Sequence, residues 1–160
     1  ITNQKHLPIA VLTADCAPIL IYDKRRKMIA AIHAGWKGAY KGIISKVINF
    51  MIKKGCEKKN IIAVIGPCIA QKSYNVKEDF KRKFLKKDKR NKVFFKKRKN
   101  LIYFDLSKYV KLQLKLMKIT NLETINIDTF PKKNNFFSAR RSLHLNHDDY
   151  GRNISLIMIN

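Results

Sequence analysis

Apolar residues gather in short β-rich blocks at residues 9–13 and 17–22, and again in "KMIAAIH" at 27–33. The polar run "YDKRRK" between the second and third blocks predicts a hairpin turn. After "AGWKG" the rhythm changes: Ile43, Ile44, Val47, Ile48, Met51 and Ile52 recur at helical spacing, with Gly55 placed to stop the helix. "NIIAVIG" predicts a short buried strand, which "GPC" breaks.

The stretch "VKEDFKRKFLKKDKRNKVFFKKRK", residues 76–99, begins as a helix. It is expected to continue as a basic, low-complexity connector with a solvated surface, contact with anions or nucleic acid being the alternative. "FDLSKYVKLQLKLMKI" predicts an amphipathic helix capped by Asp105 or Ser107. "LETINIDTF" reads as a strand and "GRNISLIMIN" as a closing one. Strands and helices alternate irregularly around at least one hairpin. This predicts an α/β or α+β single domain with a mixed sheet and flanking helices, without internal repeats.

Composition narrows the classes. A chain of 160 residues with 46% apolar content supports one packed core. No apolar run reaches the roughly 18–20 residues that span a bilayer, so no membrane partner is expected. The opening "ITNQKHLPIA" lacks a signal peptide's basic start and cleavage site, and a cytoplasmic location is expected. Three cysteines, Cys16, Cys56 and Cys68, are an odd number and read as free thiols. The formal charge of +24 would attract polyanions. Lys, Asn and Ile are overused together, as AT-rich coding produces, and the cations form no single Arg/aromatic stripe. Nucleic-acid binding therefore ranks below an enzymatic reading.

Candidate chemistry centres on the predicted hairpin. With its turn centred between Lys24 and Arg25, Tyr22 faces Lys27 and Cys16 faces His33, side chains on one face of the ribbon. Directly opposed Cβ atoms lie about 4.5–5.5 Å apart, near enough for two ligands of one metal. Pro18 cannot donate a ladder hydrogen bond and suggests an edge strand or a bulge. "TADC" adds Asp15 at a turn, and "HAGWKG" follows His33 with two glycines that permit close approach. Trp36 is a flat wall for a heteroaromatic substrate or a structural tryptophan. Cys16 also suits a nucleophile with His33 as its base.

"LTADCAPILIYD", "AAIHAGWKGAYKGII", "IGPCIAQKSYNV", "FDLSKYVKLQL", "FFSARR" and "GRNISLIMI" occur in order along the chain. Together they resemble the YfiH-like or laccase-domain proteins, once called polyphenol oxidases and now assigned as purine nucleoside phosphorylases. The resemblance covers essentially all of residues 1–160 and implies a layered α/β domain of YfiH-like fold. It implies a zinc active site for phosphorolysis of adenosine, inosine, guanosine or methylthioadenosine, with phosphate as co-substrate and adenosine deamination alongside. Cys16 and His33 match family metal ligands. The family's remaining histidine ligand lies in a "Q-x-H-G" motif upstream of "TADC", in a segment these 160 residues do not contain, so the domain is expected to be N-terminally incomplete relative to the family. His6, His144 and His147 do not match that ligand. Two ligands alone predict weaker zinc binding than three.

Departures from the family pattern are Lys37 in "HAGWKG" where the family has arginine, Ala139 in place of an aromatic, and Asp128 in place of a cysteine. Arg140 and Arg141, with Ser138, form the best anion-binding group, and Lys37 adds a charge. Asp15 is the candidate acid/base. Phe136 and Phe137 are expected in core packing, with base stacking the alternative. Cys68 reads as structural, and Cys56 lies in no motif. A metal-free Cys–His hydrolase or amidase is the runner-up function, and a basic RNA-binding protein the non-enzymatic one. Copper-dependent phenol oxidation ranks third among enzymes, since four histidines are few for multicopper chemistry. The preferred nucleoside and the oligomeric state stay open.

Overall fold

The computed structural model describes residues 1–147 and 149–160. A four-stranded sheet forms the centre, in the order β3 (Met28–Ala34), β2 (Ala17–Asp23), β4 (Ile61–Ile65) and β8 (Asn121–Thr124). β2 pairs antiparallel with both neighbours and β4 parallel with β8, so the sheet is mixed as expected. Its core face carries every second residue: Ala17, Ile19 and Ile21 on β2, and Ile61, Ala63 and Ile65 on β4. Against this face pack α2 (Ile43–Lys53) and α4 (Leu106–Leu116). α2 buries Ile44, Ile48 and Met51, positions that share one side of a 3.6-residue helix. Gly55 ends α2 at φ 88°, a backbone conformation that glycine takes without strain. Asp105 caps α4 by accepting from the Lys108 amide at 2.9 Å.

On the opposite face, β1 (Ile9–Thr13) and β9 (Asn153–Ile157) form an antiparallel pair over β2 and β3. No helix among the described residues is long and apolar enough to cross a membrane.

The hairpin register differs from the expectation. Asp23 pairs with Met28 and Pro18 with His33, so the turn holds four residues, 24–27. The cause is Asp23, whose Oδ1 accepts from the Arg25 and Arg26 amides at 2.9 and 2.8 Å and closes a wider turn. A shift of two residues keeps every side chain on its face. Pro18 is neither at an edge nor in a bulge; it lies near the start of β2, an interior strand, where its carbonyl accepts from Gly66 at 2.9 Å.

Residues 76–99 are ordered structure rather than a connector. α3 (Glu78–Lys87) leads into a 3-10 segment, Lys89–Phe94, and then β6 (Phe95–Arg98). β6 pairs with β7 (Leu101–Phe104), and β7 pairs with the short β5 (Asn75–Val76). The lysines masked an apolar underside: Phe80, Phe84, Phe95 and Phe104 form one contact cluster, with the Phe80 and Phe84 rings stacked at 4.8 Å. Lys83 lies 5.4 Å from the Trp36 ring, so the basic residues cover aromatic surface while their ends stay wet. The strand predicted in "LETINIDTF" stops at Thr124, and Ile125 and Ile127 beyond it are exposed.

Candidate active site

Three chain turns converge at one end of the central sheet. Residues 14–16 connect β1 to β2, Gly35 links β3 to α1 (Trp36–Tyr40), and α5 (Ala139–His144) begins at the third. Cys16 and His33 do not face each other across the ladder, yet Cys16 Sγ and His33 Nε2 both lie beside Gly35. A Cβ on Gly35 would lie 2.7 Å from Cys16 Sγ and 3.8 Å from His33 Nε2. The empty space of this glycine is thus flanked by a sulfur and an imidazole nitrogen. His33 is exposed and Cys16 half-buried. Among the described residues, no group of three His, Cys, Asp or Glu side chains surrounds a common metal position.

Burial, and then the charge of Asp15, push the Cys16 thiol up to about 11. Without metal the sulfur is therefore protonated at neutral pH, which does not favour a Cys–His nucleophile pair. A thiol held above its unfolded value contributes stability that is complete below about pH 9 and is lost as the pH rises towards 11. Iodoacetamide should accordingly label Cys16 of metal-free protein slowly at pH 8, with the rate climbing until about pH 11. A rate plateau below pH 8, read by mass spectrometry, would contradict this environment.

Asp15 is buried and left-handed, at φ 81°. Its Oδ1 accepts from Thr129 Oγ1 at 2.7 Å, and its Oδ2 from Ser138 Oγ at 3.0 Å and the Arg140 amide at 2.6 Å. These donors give the carboxyl group a structural role, and Asp15 also borders the inner cavity beside Cys16. Ser138, expected at the phosphate, is buried, donates to Asp15 and caps α5 by accepting from the Arg141 amide.

The two arginines separate. Arg141 donates to the carbonyls of Thr129, Phe130 and Phe136 at 3.2, 2.7 and 2.6 Å, so its guanidinium ties a loop, and the residue lines neither of the two cavities that Arg140 borders. Arg140 instead lines two adjoining cavities. The inner one, of about 160 Å³, reaches Asp15 and Cys16. The outer cleft, of about 690 Å³, runs past Phe80 to the β6–β7 turn. Trp36, Tyr74 and Arg140 belong to both. Trp36 thus serves as a wall while packing edge-on against Phe80 at 4.9 Å. Lys37 lies on the exposed side of α1, 5.6 Å from the Trp36 ring, and lines neither cavity. Phe137 is half-exposed, not core, and Phe136 lines a separate surface depression. Cys68 is buried, its thiol pushed up to about 12 by burial and neighbouring carboxylates, as befits a structural residue.

Sequence reasoning did not single out Tyr74, Asn75, Phe80 or Thr129. Tyr74 and Asn75 stood within "IGPCIAQKSYNV", but nothing local marks residues that meet Arg140 across the fold.

The family described as multi-copper polyphenol oxidoreductase laccase matches residues 1–160. The chain belongs to this laccase-domain family. A Rickettsia conorii relative named purine nucleoside phosphorylase is 43% identical over 96% of this chain and 64% of its own length. One from Bacteroides thetaiotaomicron with the same name is 33% identical over 88% and 54%. The crystal structure of YfiH from Bacillus licheniformis superposes with a TM-score of 0.87 at 29% identity, over 99% of this laccase-domain chain and 60% of that one. YlmD from Geobacillus stearothermophilus, at 22% identity and a TM-score of 0.83, shares the fold. The chain spans less than two-thirds of the length of these relatives.

Proposed function

We propose that this chain forms most of the site of a zinc-dependent purine nucleoside phosphorylase that also deaminates adenosine. The observation that carries the reading is that Cys16 Sγ and His33 Nε2 both flank Gly35, with Cys16 lining the inner cavity of a cleft walled by Trp36, Tyr74 and Phe80. The relatives' names support the substrate class.

A thiolate and an imidazole suit zinc, and Cys16 and His33 would hold it, with the remaining positions filled by ligands these two do not supply. When bound, zinc polarises the oxygen it contacts. Trp36 and Phe80 offer faces on which a purine stacks. Arg140 presents a guanidinium to phosphate between the two cavities. Burial pushes the Tyr74 phenol up, so it stays an O–H donor. In phosphorolysis a phosphate oxygen bonds to the ribose C1′ as the bond from C1′ to N9 breaks. The purine leaves with that electron pair and takes a proton, giving ribose 1-phosphate. In deamination, water replaces the amino group of adenosine, giving inosine and ammonia.

The test is zinc content together with adenosine turnover, with and without phosphate, on this chain and on one extended to its relatives' length. Stoichiometric zinc that is lost in Cys16→Ala, with adenine formed only when phosphate is present, is the expected result. Metal-free protein alkylated only at Cys16, or no product from either chain, would overturn it.

A further inference from the structure

Arg140 is held far more firmly than an ordinary surface arginine. Its amide donates to Asp15, fixing the start of the side chain. Its Nη1 donates to the Asn75 carbonyl at 2.8 Å and also to Asn75 Oδ1. Its guanidinium lies over the Tyr74 ring, 5.2 Å from the centroid. Two consecutive residues thus hold one nitrogen and one face of the same group. Both are themselves placed by structure: Tyr74 accepts a backbone bond from Phe104, and Asn75 pairs with Tyr103 in the β5–β7 ladder. Among the described residues, Nε and Nη2 of Arg140 make no hydrogen bond, and the residue borders both cavities.

We propose that Asn75 is a positioning residue that locks Arg140 with its free edge towards the junction of the two cavities, preorganised for a phosphate oxyanion. The inference rests on the phosphorylase reading and deepens it by assigning how the phosphate subsite is built. A free arginine side chain loses considerable rotamer freedom when it closes on an anion. Here the Asn75 side chain and carbonyl hold the guanidinium before phosphate arrives. A planar fork held at Nη1 leaves the edge formed by Nε and Nη2 in one orientation, which favours two-point contact with phosphate. Asn75 borders the outer cleft, and the role assigned to it is exerted through Arg140.

The test compares Asn75→Leu, which removes the side-chain acceptor at similar volume, with Asn75→Asp, which keeps an acceptor but sets a negative charge against the guanidinium. Both should raise the phosphate KM by about tenfold or more, leaving the adenosine KM and phosphate-independent deamination within about twofold of wild type. Calorimetric titration of the chain with inorganic phosphate should show the same weakening without relying on turnover. Equal rises in both KM values, or unchanged phosphate affinity in both variants, would overturn the positioning role. A wild-type protein that neither binds phosphate nor yields phosphate-dependent product would instead overturn the phosphorylase reading, and the inference with it. Should Asn75→Leu fail to fold, Asn75→Ala, which removes the same acceptor without adding a charge, carries the comparison.

Discussion

Asp15→Ala is expected to destabilise the chain by about 3–5 kcal/mol, the cost of orphaning several buried donors at once. Thr129 Oγ1, Ser138 Oγ and the Arg140 amide all donate to this one carboxyl group. Thr129 and Ser138 are almost wholly buried, so water cannot readily replace the lost acceptor. Alanine would also have to adopt φ 81°, which aspartate and asparagine tolerate better. For a chain of this length the loss corresponds to a fall in Tm of roughly 10 °C. Asp15→Asn keeps the backbone preference and one acceptor oxygen but turns an NH₂ towards donors, so an intermediate loss is expected. Thermal melts of the three proteins decide the matter. An Asp15→Ala shift below about 2 °C would contradict this structural role.

The second large effect falls on the site and spares the fold. A Cβ at Gly35 would sit 2.7 Å from Cys16 Sγ, closer than real side chains approach, so the thiol must rotate away. Gly35 has φ −72° and ψ 165°, an extended backbone that alanine adopts freely, and the obstructed atom is a side-chain tip. Gly35→Ala should therefore cost less than about 1 kcal/mol of stability. Zinc affinity should fall by about tenfold to a hundredfold, because one of the two donors leaves its place. Equilibrium competition with a zinc chelator, paired with a urea melt, separates the outcomes. Unchanged affinity would show that the metal, if bound, does not sit above Gly35. A collapse of stability would show that the thiol cannot move.

Period-two alternation was enough to read the strands of the hairpin, and helical spacing to read α2, because each buries one continuous face within a few residues of chain. The same alternation put Cys16 and His33 on a common face, and a two-residue shift in register preserves that parity. The size of the turn lay outside its reach, since Asp23 closes four residues with hydrogen bonds to backbone amides. In residues 76–99 the charge hid the pattern. Lys83 Nζ lies over the half-buried Trp36 ring while Phe80 and Phe84 stack beneath, so a run that counts as polar residue by residue builds a packed underside.

The sequence by itself determined the family, the central hairpin and the face shared by Cys16 and His33, since motifs and period-two patterns are local. Only the tertiary structure decided which residues serve the cleft. Arg140 and Arg141 are chemically identical neighbours, but successive helix positions point about 100° apart. One lines both cavities, and the other clamps carbonyls. Asp15 reaches its partners across more than 100 residues of chain, and Asn75 reaches Arg140 across 65. No local pattern carries contacts of that range, because they exist only after the sheet, α5 and β5 have packed into one site.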